Sequence, residues 1–404
     1  MNAEAHRTAY LGFDEERLEH AVSLVKNGCI SIEQDDGRSG RRPSYPGAVL
    51  LIMRHGAEVV HKAFGMRSFG ESALPMTLDT VFDVASMTKP IATATAVLRL
   101  VEMGEINLDH PVARYLPRAA AANAAANDMT LMHLLTHTSG LPAEAPLYEG
   151  AEGRDDCVRA LLGLAPELAV GSEVQYSCMG FILLSLVVEE VTGEGLDAFL
   201  RREVFDKLGM DDSGFYAVER FAEQERVAPT ERRTAIERGR EIWEWVRRTG
   251  QFLDLHTESS VAWGAVHDEN ALAMGGVSGN AGLFSTAADL GKFAQMYLQG
   301  GCYGGARILA PATVELATRN FTDGMGDNRG LGWHLKSRGT FFGSLISERA
   351  FGHTGFTGGA LWVDPDRDLA VVLLTNRVHE TRDNLALVNL RPRLINAVVA
   401  AITQ

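Results

Sequence analysis

Strand-like runs stand at both ends of a helix-rich chain, and that arrangement limits the possible fold more than any other feature. Near the N-terminus, Ala48–Met53 and Glu58–Phe64 flank Arg54-His55-Gly56-Ala57 and read as a hairpin. Near the C-terminus, Ala360–Val363 and Leu369–Thr375 flank the turn formers Asp364-Pro365-Asp366-Arg367-Asp368, and a glycine-rich edge strand around Phe351–Gly359 precedes them. Helical patterns dominate from Val97 to Val191. The pattern predicts an α/β protein of the α+β type: one antiparallel sheet assembled from the two ends of the chain, flanked by helices, plus a mainly helical lobe. The expected division is a discontinuous sheet domain, 1–112 with 272–404, and a helical domain, 113–271. Two terminal helices complete it. Glu15–Lys26 carries Leu18, Val22 and Val25 on one side and ends at Asn27-Gly28, and Pro392–Ile402 reads as a closing helix with its proline in the tolerated first turn.

Chemistry first shows in Phe82-Asp83-Val84-Ala85-Ser86-Met87-Thr88-Lys89-Pro90. A serine hydroxyl is a weak nucleophile at neutral pH and needs a partner to take its proton. A helix starting near Ser86 places Lys89, three residues on, on the same face and within hydrogen-bond reach. Pro90 then falls in the first turn, where a missing N–H costs little, and Ile91–Glu102 continues without a breaker until Gly104. A Ser three residues before a Lys is common by chance, so two further segments matter. Gln175-Tyr176-Ser177-Cys178 brings a phenol to the entrance of a second apolar helix, and His353-Thr354-Gly355 sits on the glycine-rich strand.

In this order and at these separations, S-x-x-K, Y-S-x and H-T-G resemble the three motifs of the serine β-lactamase and penicillin-binding-protein superfamily, closest to its class C-like branch of esterases and D-peptidases. Further likeness lies in Gly104–Val112, His133–Leu141, Val266–Ala271 and Gly282–Thr286, and it extends from about Pro46 to the C-terminus. The resemblance implies an acyl-enzyme on Ser86, with Lys89 and Tyr176 sharing the proton transfers. An isolated lysine or tyrosine is almost wholly in the wrong protonation state at pH 7. A phenol beside an ammonium in a desolvated cleft loses its proton more readily, so Tyr176 is the expected general base, tuned by Lys89. The resemblance also implies an oxyanion hole from the backbone N–H groups of Ser86 and Phe356, with His353, Thr354, Gly355 and Cys178 lining the substrate site.

Two departures bear on the substrate. The superfamily usually has Asn or Asp where this chain has Cys178, a weak hydrogen-bonding group, which puts amide recognition in doubt. The third motif opens with His353 rather than lysine, and a mostly neutral histidine holds a β-lactam carboxylate less strongly. Both favour small carboxylic esters. The alternatives are a β-lactamase or D,D-peptidase, an acyltransferase using the same site, and a non-catalytic scaffold that keeps the fold.

Composition narrows the rest. At 404 residues and 46% hydrophobic content the chain can bury a large core, and a net charge of −14 argues against nucleic-acid or anionic-membrane partners. No run approaches the roughly 20 apolar residues of a spanning helix, and Met1–Arg7 lacks a secretory h-region. With Cys29, Cys157, Cys178 and Cys302 scattered, the chain reads as cytoplasmic with reduced thiols. No G-x-S-x-G elbow occurs. His133 and His137 lack the glutamate of H-E-x-x-H, so a structural loop role is expected there, with no metal and no cofactor. The arginine- and tryptophan-bearing segment 223–250 reads as a solvated helix capping the helical lobe, or as a lid or subunit contact.

Overall fold

The computed structural model describes residues 8–30, 43–70, 73–215, 226–231, 264–379 and 381–403. The two terminal hairpins join in one sheet. Its strands are β1 (Gly47–Arg54), β2 (Ala57–Gly65), β3 (His334–Leu335), β4 (Phe351–Thr354), β5 (Ala360–Asp364) and β6 (Leu369–Thr375), in the order β2-β1-β6-β5-β4-β3. Every neighbouring pair is antiparallel, and the junction between chain ends is the β1–β6 ladder, in register from Ala48↔Thr375 to Arg54↔Leu369.

The helices that position the site are α1 (Glu15–Gly28), α2 (Thr95–Met103), α3 (Cys178–Thr192), α4 (Ala287–Leu298) and α5 (Ala386–Ala400). Strands β1 and β6 are buried along their whole length, so both faces must be covered. Side chains alternate across a strand, and the two sets enter different cores. Ala48, Leu50, Ile52, Leu369, Val371 and Leu373 pack with Leu18, Val22 and Val25 of α1 and Leu387, Leu394 and Val398 of α5. Val49, Leu51, Met53, Val372 and Leu374 face the opposite way, against Leu290 and Phe293 of α4 and, through a continuous apolar cluster, the helical segments. Helix α3 is buried from Cys178 to Val188, as its unbroken apolar sequence requires.

Three expectations are corrected. The closing helix begins at Ala386, not Pro392, so the proline lies inside it. The apolar series Leu387, Leu390, Leu394 and Val398 carries the helix through, and the carbonyl four residues back belongs to Val388, which is 52% exposed and open to water. The helix after Ser86 is not a uniform α-helix: a tight 3₁₀ turn at Ala85–Met87 leads into a wide π-type turn at Lys89–Ala94, and only then into α2. Pro90 has no N–H, and Thr95 Oγ1 donates to the Pro90 carbonyl (2.9 Å) instead. The glycine-rich strand β4 is not the outermost one, because the two-residue β3 pairs with Phe351 and Gly352. Residues 353–356 extend past that partner. Of segment 223–250, residues 223–225 and 232–250 lie outside the described residues. Among the described residues, no helix is long and apolar enough to cross a membrane.

An interior proline removes a helical hydrogen bond and crowds the preceding turn. Pro392→Ala is therefore expected to raise the free energy of unfolding by about 1 kcal/mol or more, read from urea denaturation midpoints at unchanged slope.

Candidate active site

The turn that carries Ser86 is built on a buried carboxylate. Strand residues Phe82 and Asp83 pair with Phe284 and Ser285 and bring the chain to the end of the cleft. Asp83 is inaccessible to solvent except for 3% of its surface, and its Oδ1 accepts from the N–H of Ala85 (2.8 Å). That bond holds Ala85 at φ +47°, a left-handed conformation that costs a residue with a Cβ about 1–3 kcal/mol. The resulting sharp turn presents Ser86 in the first turn of a helical segment, where N–H groups lack intrahelical partners.

Behind Ser86 lies Lys89, fully buried. Its Nζ donates to Ser86 Oγ (3.1 Å), Asn280 O (3.0 Å) and Cys178 Sγ (3.4 Å). The wide turn sets this geometry, since Thr93 on the same segment reaches the neighbouring Gly279 carbonyl (2.7 Å). Burial opposes the Lys89 charge, but the acidic groups Cys178, Tyr176 and Asp268 around it prevail and hold the proton more firmly than on an isolated lysine. Burial also raises the Cys178 thiol, against the pull of Lys89.

Tyr176 sits one residue before Ser177, the N-cap of α3, whose hydroxyl accepts from Gly180 N (3.2 Å). Its ring is wedged among His137 (centroids 4.4 Å apart), Lys89 Nζ (4.9 Å from the ring) and the Arg329 guanidinium (5.5 Å). His137 fixes the loop: Ser177 N donates to its Nδ1 (3.0 Å) and Gln175 N to its carbonyl (2.8 Å). Burial, reinforced by Arg329 and Lys89, holds the His137 imidazole far below its ordinary pKa. His133 faces elsewhere, in the capping box of Thr130. The two histidines of the i,i+4 pair thus serve different loops.

The third wall is the end of β4. His353 is buried, and its Nδ1 donates to Thr354 O (2.8 Å). Burial, then Lys89 and Arg329, push its pKa well down, so the ring is neutral with Nε2 carrying only a lone pair. Gly355 lies so close to the Ser86 turn that a Cβ there would stand 2.4 Å from Val84 O. Thr357 Oγ1 donates to the Asp83 carbonyl (2.6 Å), and Arg391 braces the loop through Gly355 O (3.1 Å) and Gly359 O (2.9 Å). The intervening Phe356 N–H has no hydrogen-bond partner among the described residues. Ser86, Tyr176, Cys178, His353, Thr354, Gly355 and Phe356 all line one cavity of about 730 Å³.

The same cavity gathers charged residues that local sequence does not mark. Arg329 pairs with Asp327 (2.6 Å), which also meets His334 (2.8 Å). Across the cleft, buried Glu231 is held by Arg382 (2.5 Å) and by His267 Nε2 (3.1 Å), and Arg382 also reaches Glu269 (2.7 Å). His267 and Arg382 pull the Glu231 carboxyl down to about 2 against the opposing effect of burial. Only the segment Val266–Ala271 carries a sequence signal for this group, as a region of family likeness; the arginines come from distant, otherwise ordinary stretches.

A family model described as Beta-lactamase matches residues 32–391. The chain belongs to the beta-lactamase family. It is 30% identical over 390 residues to an Escherichia coli K12 protein named "Putative D-alanyl-D-alanine carboxypeptidase", covering 91% of this chain and 84% of that one. It is 31% identical over 357 residues to the N-acetylmuramyl-L-alanine amidase of Bacillus subtilis 168, covering 83% and 78%. The fold is shared with EstCE1, a hydrolase with promiscuous acyltransferase activity (TM-score 0.70, 24% identity, 95% and 99% coverage). It is shared equally with a penicillin-binding-protein homologue from Caulobacter crescentus (TM-score 0.70, 21% identity, 96% and 99% coverage). This β-lactamase-family protein is a hydrolase of the serine type.

Tyr176→Phe keeps the ring between His137 and Lys89 and removes only the hydroxyl. It is expected to lower kcat by about 10²–10⁴-fold with an unchanged melting temperature. Gly355→Ala drives the loop away from Val84, and about a 10²-fold loss of kcat is expected, measured on the same substrate.

Proposed function

We propose that this family member hydrolyses small carboxylic esters through an acyl-enzyme on Ser86. Ser86 Oγ attacks the ester carbonyl, Tyr176 takes the serine proton and passes it to the leaving alcohol, and water then releases the acid. The charged Lys89 orients Ser86 and stabilises the anionic partners around it, having no lone pair to offer. The N–H groups of Ser86 and Phe356 receive the carbonyl oxygen as it becomes negative.

The observation that carries the ester reading is a neutral His353, its Nδ1 hydrogen committed to Thr354 O, in a cavity also lined by Cys178. Neither side chain offers the strong donor that an amide carbonyl or a β-lactam carboxylate would use at these positions. A second reading, cleavage of an amide in a D-amino-acid peptide, has its own support. Arg377 and Arg391 are only 4% and 8% exposed, line the cavity, and form no ion pair among the described residues. The Arg377 guanidinium stacks 4.6 Å over the Phe356 ring. Burial, then Arg377, lowers Arg391 to about 9. Buried unpaired charge is costly, and a substrate carboxylate would relieve it. The names of the Escherichia coli and Bacillus subtilis relatives agree with that chemistry.

Short p-nitrophenyl esters, a chromogenic cephalosporin and a peptide ending in D-alanyl-D-alanine, assayed side by side, separate the two. The ester reading expects kcat/KM on esters to exceed both amides by about 10³-fold, and Ser86→Ala to abolish turnover. Dominant peptide cleavage would instead establish the second reading. Cys178→Asn supplies the missing amide group beside Lys89 and is expected to raise the amide-to-ester ratio by about 10-fold, measured as paired kcat/KM values.

A further inference from the structure

Charge is unevenly compensated around the cavity. Beside Tyr176, the Arg329 guanidinium gives Nε and Nη2 to Asp327 (2.8 and 2.6 Å), so its charge is met within the protein. Near Cys178 the Lys89 ammonium already has three acceptors, and Asp268 and Glu144 line the cavity and oppose ionisation of the thiol. An anion placed there would meet negative charge. Arg377 differs from both. Its Nη1 donates to the carbonyls of Arg382 and Asn384 (2.9 Å each), while Nε and Nη2 have no partner among the described residues. The Glu231 carboxylate, which favours the Arg377 charge, is bonded to Arg382 and His267 instead.

The Nε–H and Nη2–H of a guanidinium lie parallel and match the two oxygens of a carboxylate. Stacking on Phe356 occupies the face of the Arg377 group and leaves that edge open. Arg391 stands behind the loop with Nη2 spent on Gly355 O and Gly359 O and a buried Nε that has no partner, so it adds positive charge rather than a second fork. One open fork suits a monoanion rather than a phosphate dianion. Apolar surface adjoins it: Phe356, Leu385 and Val388 are exposed and line the same cavity. Val388 and Arg391 lie one turn apart on α5, and Asn384, which holds Arg377, directly precedes Leu385, so rim and arginines form one continuous wall. His353 stacks by Tyr176 (centroids 6.1 Å apart), whereas Phe356, at the other end of the run 353–356, lies under Arg377 (4.6 Å). Tyr176 passes its proton to the leaving alcohol, which puts the alcohol at the His353 end and the acyl chain at the Phe356 end.

We propose that the acyl group of the substrate ends in a carboxylate received by the open edge of Arg377, so that the preferred esters are half-esters of dicarboxylic acids; this rests on the acyl-enzyme reading above. The carbon chain lies against Phe356, Leu385 and Val388, and its terminal carboxylate supplies the counter-charge that the protein withholds from Arg377. Arg377 thereby selects the acyl group and takes no part in the bond changes at Ser86.

The test compares kcat/KM of the full-length enzyme on the p-nitrophenyl half-esters of adipic and suberic acid with p-nitrophenyl hexanoate and octanoate, their neutral counterparts. The hexanoyl ester of 4-hydroxybenzoate, set against phenyl hexanoate, moves the carboxylate to the leaving alcohol. At one or both chain lengths the half-ester is expected to exceed its neutral counterpart by about 10- to 10²-fold, with no gain from the carboxylate on the alcohol. Arg377→Gln is expected to cut the half-ester-to-neutral ratio by about 10-fold or more, and Arg377→Lys, which keeps the charge without the fork, to restore only part of it. The wild-type comparison decides even if neither variant folds. Parity within both pairs, a larger gain from the carboxylate on the alcohol, or a preference that survives Arg377→Gln overturns the inference while leaving the function of Ser86 intact. Absence of turnover on every ester, or turnover that persists in Ser86→Ala, overturns the functional reading itself, and this inference with it.

Discussion

The buried carboxylate of Asp83 is the constraint on which the rest of the site depends. It accepts from Ala85 N and His267 N, and the carbonyl of the same residue accepts from Thr357 Oγ1. Three segments around the cleft, up to 274 positions from Asp83 in the chain, thus converge on one residue. Burial pushes this carboxyl upward, against the N–H bonds from His267 and Ala85 that favour its charged form. The donors are backbone amides rather than a cation, so the carboxylate is satisfied without placing another positive charge beside Lys89. The strained Ala85 backbone is stable only inside this network.

Lys89 imposes a second requirement. A fully buried ammonium is tolerable only with every proton received, and its three acceptors come from the Ser86 turn, from α3 and from the Asn280 loop. This explains the widened helix at Lys89–Ala94. A regular α-helix with an ordinary proline would keep the same face but not the same reach toward residues 279 and 280. The helix irregularity and the catalytic geometry are one feature, consistent with the tendency of π-turns to occur at functional sites.

The sheet and the motif residues were legible in the sequence because their signals are local. Continuous apolar runs at 48–53 and 369–375, turn formers at 364–368, and fixed spacing in the three motifs each reflect one segment's own geometry. Pro392 misled because a proline normally marks a first turn, and only the apolar face of residues 387–398 tells that the helix began earlier. The edge position assigned to β4 failed for a related reason: a two-residue partner such as His334–Leu335 has no periodicity to detect.

The charged wall was illegible for a different physical reason. Glu231, His267, Arg329, Arg377, Arg382 and Arg391 are residue types that usually lie at the surface, so composition assigns them to solvent. Arg382 is partly exposed, and the burial of the others follows from the closure of the sheet, which brings the segment after β6 against residues 226–231 and 264–270. Charges that solvent does not reach must be compensated within the protein or by a ligand. Glu231, Arg382 and Glu269 compensate one another, whereas among the described residues Arg377 and Arg391 form no ion pair and donate to carbonyls, Arg377 also lying over the Phe356 ring. The imbalance lies on the cavity side, next to Phe356. The three motifs are local in sequence, whereas the charges around them are placed by long-range packing, and a fold of this kind leaves such placement free to vary.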